Sequence, residues 1–299
     1  MDARFAKLPR FLEERARWVR IEGAADAGGE GLFGGVQGQI PVLLAHPDPG
    51  ALDADGGVIG GGATAPLMIW MHGRTAHKEL DPGRYLRWLR AGIGVCAIDM
   101  PGHGERRDDA LQGADRSLQI VEHVARHEID LLLATLRARG YGKVFDLERV
   151  GIGGMSLGGI TTLVRLCREH GFACATVEAC AGDFRAMRDR HGFRSADGDG
   201  LSELARRLEP RTHLEAWRPI PLLALHSEKD AWIPVDGVRG FVEALREHYR
   251  QQGADAEMVR LQTWPETGAE FEHIGFGKVS NEAKNLQTEF LSETLGTKA

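Results

Sequence analysis

The sequence predicts an α/β protein, a doubly wound and mostly parallel sheet of about eight strands with helices on both faces. Two observations carry that expectation. Short apolar runs of strand length alternate with helix-length segments along most of the 299 residues. In addition, a glycine-rich strand-to-helix turn spans Arg149–Gly159 and reads R-V-G-I-G-G-M-S-L-G-G. Strands that alternate with helices favour parallel pairing covered on both faces, with right-handed crossovers.

The elements follow in order. Met1–Arg20 reads as an amphipathic helix packed on the domain, with Arg4, Lys7, Arg10, Arg15 and Arg17 set against Asp2, Glu13 and Glu14. Trp18–Glu22 and Gln39–Ala45 read as strands around a Gly-rich turn, 24–38. A second Gly-rich loop, 47–65, leads to Pro66–Met71. Ile93–Ile98, Val150–Gly154, Cys174–Cys180, Pro221–His226 and Glu257–Gln262 complete the strands. Between them, Lys78–Ala91, Ser117–Arg139, Leu157–His170, Val235–Gln251 and Ser280–Thr294 have helical length. Residues 183–218 break this rhythm, being polar and Arg-rich with one short helix at Leu201–Leu208. A loop this long in a compact domain tends to be functional, so the segment is expected to form a small helical lid within a single domain, 1–299.

Chemistry is expected at the turn. Gly154-Met155-Ser156-Leu157-Gly158 fits G-x-S-x-G, in which a serine is forced into a strained conformation and its Oγ stands clear of the sheet edge. A serine hydroxyl is a poor nucleophile and needs a base, an orienting acid and an oxyanion hole. In a doubly wound sheet these gather at the carboxyl ends of strands. The amides of Leu157, which opens the helix, and Arg74, in the loop after Leu67–Met71, are the expected oxyanion donors. His72 and Gly73 precede Arg74, and His72 is expected to hold that loop rather than act as base. Asp230 sits one short turn past Pro221–His226. Its competitors are Glu228, nearer the strand, and Asp236, suited to the first turn of the next helix. His273 is the only histidine after His248. The order Ser156, Asp230, His273 is the one this architecture uses.

Together these motifs and Asp99-Met100-Pro101-Gly102-His103-Gly104 resemble the α/β-hydrolase fold superfamily, and D-x-P-G-H-G is similar to its esterase, dienelactone-hydrolase and prolyl-oligopeptidase-like branches. The likeness runs from about Trp18 to the C-terminus. It implies that Ser156, His273 and Asp230 act as nucleophile, base and acid, and that His72, Gly73 and His103 shape the substrate entrance. It further implies hydrolysis of a small-molecule carboxylic ester without a cofactor or metal. One departure stands out: Glu272 precedes the histidine, where the family often has Gly.

Other readings are weaker. Gly151–Ser156 nearly matches the dinucleotide fingerprint, but Ser156 replaces its last glycine and the turn is mid-chain. His123 and His127 lie four apart, as zinc ligands can, without the glutamate of H-E-x-x-H. A peptidase, thioesterase or acyltransferase could use the same triad, and a non-catalytic binder could retain the fold. A net charge of −6 and the lack of any basic run argue against nucleic acid. No apolar run is long enough for a bilayer, and Met1–Arg20 lacks a secretion signal's apolar core. Cys96, Cys167, Cys174 and Cys180 form no C-x-x-C pair and suit reduced core thiols, so a cytoplasmic enzyme is expected. A homo-oligomer is left open.

Overall fold

The computed structural model describes residues 8–22, 33–60, 62–189, 193–196 and 200–297. Eight strands form one sheet: β1 (Ala16–Glu22), β2 (Gln39–Ala45), β3 (Ala65–Met71), β4 (Gly94–Ile98), β5 (Phe145–Met155), β6 (Cys174–Glu178), β7 (Leu222–Ser227) and β8 (Val259–Trp264). Their order across the sheet is β1-β2-β4-β3-β5-β6-β7-β8. The β1–β2 and β2–β4 pairs are antiparallel and the remaining five pairs are parallel. The chain thus starts at one edge, crosses to the centre at β3 and β5, and proceeds to the other edge.

Alternation along β3 sorts its side chains onto two cores. Leu67, Ile69 and Met71 join a cluster that includes Leu118, Val121, Leu132, Ile160, Leu163 and Phe241. Helices α3 (Ser117–His123), α4 (Ile129–Ala138), α5 (Leu157–Leu166) and α7 (Val235–Gln251) supply that side. Met68 and Trp70 face the opposite cluster with Leu12, Tyr85, Trp88, Phe290 and Leu291. Those residues come from α1 (Arg10–Glu13), α2 (Pro82–Arg90) and α8 (Ser280–Leu295).

Three expectations change. The N-terminal helix shrinks to Arg10–Glu13, because Ala16–Glu22 pairs along its whole length with Gln39–Ala45; residues 1–7, including Arg4 and Lys7, lie outside the described residues. The helix expected over Ser117–Arg139 is interrupted by a π-helical turn, Val124–Glu128. There the buried Glu128 takes a bidentate pair from Arg106, Nη1 at 2.9 Å and Nη2 at 2.5 Å, and also contacts His123 Nε2 at 3.2 Å. The last strand begins two residues late, since Ala256–Met258 is a 3₁₀ turn.

In the 183–218 segment, Phe184–Met187 and Pro210–Thr212 are 3₁₀ turns flanking helix α6 (Glu203–Leu208). Phe184, Met187, Leu208 and Trp217 are buried in the main core, so the described part of this segment is packed down rather than standing off. Arg185 is held by Asp183, and Arg207 reaches Glu122 at 3.0 Å. Arg190 lies outside the described residues. All four cysteines are free, and burial pushes the Cys96 and Cys174 thiols up to about 12. Among the described residues, no helix is long and apolar enough to cross a membrane.

Candidate active site

The turn between β5 and α5 is built by close backbone approach. A side chain at Gly154 would meet the Met71 carbonyl at 2.7 Å, and one at Gly158 would run into the same carbonyl. Only glycine lets β3, β5 and the start of α5 come this near. Ser156 takes φ 51° and ψ −111°, a strained conformation for a non-glycine residue. Its N–H donates to the Glu178 carbonyl at 2.8 Å. Glu178 is in turn gripped in the core by Arg84, through Nη1 at 2.5 Å and Nη2 at 2.8 Å.

Ser156, His273 and Asp230 form one hydrogen-bonded line. Ser156 Oγ lies 2.8 Å from His273 Nε2, and His273 Nδ1 lies 2.7 Å from Asp230 Oδ2. The other Asp230 oxygen accepts from the Trp232 and Ile233 amides, each at 2.8 Å, which fixes the carboxylate. Asp230 and His273 are both buried. The competing carboxylates lie elsewhere. Glu228 accepts from Arg239 at 2.6 Å and Thr263 at 2.8 Å, and Asp236 sits in the first turn of α7.

The amides of Arg74 and Leu157 have no acceptor among the described residues. Both residues line a cavity of about 270 Å³ beside Ser156 and His273. Leu118, Val121, Ile160, Met187, Phe193 and Trp232 make its apolar wall. Met187 and Phe193 come from the 183–218 segment.

His72 and His103 are not among the residues lining this cavity, which differs from the expectation that they meet substrate. Both are buried behind it, with rings 5.2 Å apart. His72 Nδ1 donates to the Gly73 carbonyl at 2.7 Å and Nε2 accepts from the Met100 amide at 3.1 Å, while its carbonyl accepts from Gly158 N–H at 3.1 Å. It therefore ties the loop after β3 to the loop after β4 and to the elbow helix. Burial pushes its imidazole down to about 3, with the neighbouring His103 adding to the effect, so it stays neutral. Burial likewise lowers His103. Gly73 does abut Ser156, since a side chain there would contact Ser156 Cβ at 3.5 Å. In the D-x-P-G-H-G segment, Asp99 is buried and accepts from Lys78 Nζ at 2.7 Å and the Glu105 amide at 3.0 Å. That segment braces the site from behind.

Glu272 was the departure in the sequence, and the backbone explains both halves of it. Phe271 and Glu272 have φ of 54° and 52°, the left-handed region that usually selects Gly. The Glu272 carboxylate accepts from Ser227 Oγ at 2.6 Å, Thr267 N–H at 2.7 Å, Thr267 Oγ1 at 2.8 Å and Gly268 N–H at 2.6 Å. Desolvation would raise this carboxyl, but the donors outweigh it and hold it down to about 2. Four donors on one side chain offset the backbone strain and fix the histidine loop. Sequence reasoning also missed Trp232, whose ring lies 4.6 Å from that of His273. Its position two residues after Asp230 was the only available signal.

His123 and His127 have rings 5.6 Å apart, and His123 stacks on Phe33 at 4.2 Å. Among the described residues, no three His, Cys, Asp or Glu side chains are grouped to hold a metal ion.

The model of the prolyl oligopeptidase family matches residues 84–298, more than half of the chain and all of the segment carrying Ser156, Asp230 and His273. The chain belongs to the prolyl oligopeptidase family. It is therefore a member of a serine hydrolase family, with the α/β-hydrolase fold that its sheet order displays. A Bacillus subtilis (strain 168) protein, YitV, named as a candidate esterase, is 28% identical over 208 residues, 62% of this chain and 77% of that one. A puromycin-hydrolyzing peptidase of Mycobacterium tuberculosis aligns with a TM-score of 0.66 at 22% identity, over 97% of this chain. This family member spans only 41% of that peptidase's length. The Pyrococcus furiosus esterase Pf2001 aligns with a TM-score of 0.62 at 15% identity and covers 97% of both chains. At these identities the two structures share the fold.

Proposed function

We propose that this prolyl oligopeptidase family member is a serine esterase acting on small carboxylic esters with short acyl chains. The observation that carries the reading is the partly open, largely apolar cavity of about 270 Å³ set directly against the Ser156–His273–Asp230 line. It sits at the small end for ligand sites, which usually run from about 300 to 1,000 Å³, and suits one short acyl group better than several peptide residues.

Ser156 Oγ attacks the acyl carbon while His273 Nε2 takes its proton. Asp230 holds the imidazole with Nδ1 protonated and stabilises the imidazolium. The Leu157 and Arg74 amides receive the oxyanion. The carbon–oxygen bond to the alcohol then breaks, and His273 returns the proton to the departing alkoxide. Water attacks the acyl-serine, its proton passes to His273, and Ser156 leaves reprotonated as the acid is released. No step calls for a cofactor.

Met187 and Phe193 of the 183–218 segment line the cavity and would limit the acyl group there. A buried methylene gains only about 0.8 kcal/mol, so chain-length preference turns on where these side chains block the acyl group. Measuring kcat/KM over p-nitrophenyl esters from acetyl to dodecanoyl, beside peptide p-nitroanilides, tests the proposal. A maximum at short acyl chains is expected. A maximum at octanoyl or longer, or faster cleavage of the anilides, would overturn it.

A further inference from the structure

The cavity beside Ser156 is largely apolar. Apart from Ser156 and His273, its polar side chains are Ser117 and Arg74. Among the described residues, the half-buried Arg74 makes one side-chain hydrogen bond, from Nη1 to the Gln112 carbonyl at 3.1 Å. Among the described residues, no carboxylate lies within ion-pairing distance of it. By contrast, Arg106 pairs with Glu128, Arg185 with Asp183 and Arg207 with Glu122. A permanent cation on a residue that lines a largely apolar cavity, with no anion beside it among the described residues, suits a carboxylate ligand.

We propose that Arg74 receives a carboxylate carried by the substrate, so that the enzyme prefers anionic esters, such as half-esters of dicarboxylic acids, over neutral esters of the same length. This rests on the serine-esterase reading above. The side chain leaves the main chain at an amide assigned to the oxyanion, and its guanidinium reaches roughly 6 Å from its own Cα by ordinary bond lengths. That places a bound carboxylate a few bonds from the reacting carbonyl. Guanidinium recognises such a group bidentately, and a hydrogen bond to a charged partner is worth on the order of a tenfold change in kcat/KM.

The test uses the full chain in two arms. Monomethyl glutarate is compared with methyl pentanoate, which places the charge on the acyl side. In the second arm, 4-acetoxybenzoate is compared with 4-acetoxytoluene, which places it on the leaving group. Each anionic-to-neutral ratio of kcat/KM is measured for the wild type, Arg74→Gln and Arg74→Lys, at low and high salt. In at least one arm Arg74→Gln should lower the ratio by roughly tenfold, mainly through KM. Arg74→Lys should restore part of it, and salt should weaken the wild-type ratio. The arm that responds locates the carboxylate. Ratios unchanged by Arg74→Gln, or wild-type ratios insensitive to salt in both arms, would overturn the proposal and leave Arg74 as a staple to Gln112. If the wild type hydrolyses the neutral esters no faster than Ser156→Ala does, the esterase reading itself fails.

Discussion

Glu272 accepts a hydrogen bond from Ser227 Oγ at 2.6 Å, and this contact joins the loop that carries His273 to the strand that leads to Asp230. Ser227 ends β7, three residues before Asp230, and Glu272 immediately precedes His273. The separation between Asp230 and His273 is thus set by a short mechanical path through the sheet end as well as by their own 2.7 Å hydrogen bond. Thr267 and Gly268 complete the clamp from the start of the same loop.

Glu272→Gln should therefore slow turnover without changing the fold. The amide cannot accept from all four donors, and the loop loses its fixed position. A misplacement well below 1 Å is enough, so kcat should fall on the order of tenfold with KM changed less. The carboxyl is held down to about 2, so its stabilising effect is present above the ordinary carboxylate range and is lost as pH falls through that range toward 2. Thermal unfolding of wild type and variant from neutral to acid pH checks this. Their stability difference should shrink as the solution is acidified, and a difference that grows would contradict the clamp.

Asp230→Asn should cost far more activity than Glu228→Gln or Asp236→Asn. Only Asp230 faces the imidazole, whereas Glu228 is committed to Arg239 and Thr263. The corresponding exchange in a serine protease, a worked case of this chemistry, lowers kcat by roughly 10⁴. Comparable losses in steady-state assays of the other two variants would mean that the acid is a different residue.

The acid limb of the pH–rate profile should reflect one proton. His273 must be neutral to take the Ser156 proton, so activity falls as the imidazolium forms. His72 is pushed by burial down to about 3, so it adds no second proton near neutrality, and burial also lowers His103 and His226. The acid limb of the measured rates should fit a single ionisation. A limb that needs two protons, or a flat profile, would contradict the role of His273.

Much of this was readable in the residues, for reasons that differ by element. The elbow was legible because its glycines answer a local steric demand, the crowding of Gly154 and Gly158 against Met71. Asp230 and His273 were legible because strand ends are marked by where apolar runs stop. The break at Val124–Glu128 was not, since it accompanies a buried pair between Glu128 and Arg106, which is 22 residues distant in sequence. His103 was misread as an entrance residue because a motif gives a position in the chain but not the side of the loop that faces solvent. Glu272 was visible only as an anomaly; its partners Ser227, Thr267 and Gly268 meet it through the tertiary fold.

The central claim is that Ser156 carries the acyl group. Rapid acid quenching after mixing with p-nitrophenyl acetate, followed by mass mapping of the proteolysed chain, tests it directly. A burst of about one equivalent of nitrophenol per chain is expected when deacylation is the slower step, with the acetyl group on the peptide containing Ser156. Ser156→Ala should show neither burst nor label and should lose on the order of 10⁶ in kcat, as other triad serines do. An acetyl group mapped to another residue, or a Ser156→Ala variant that keeps even a tenth of the wild-type rate, would contradict the account.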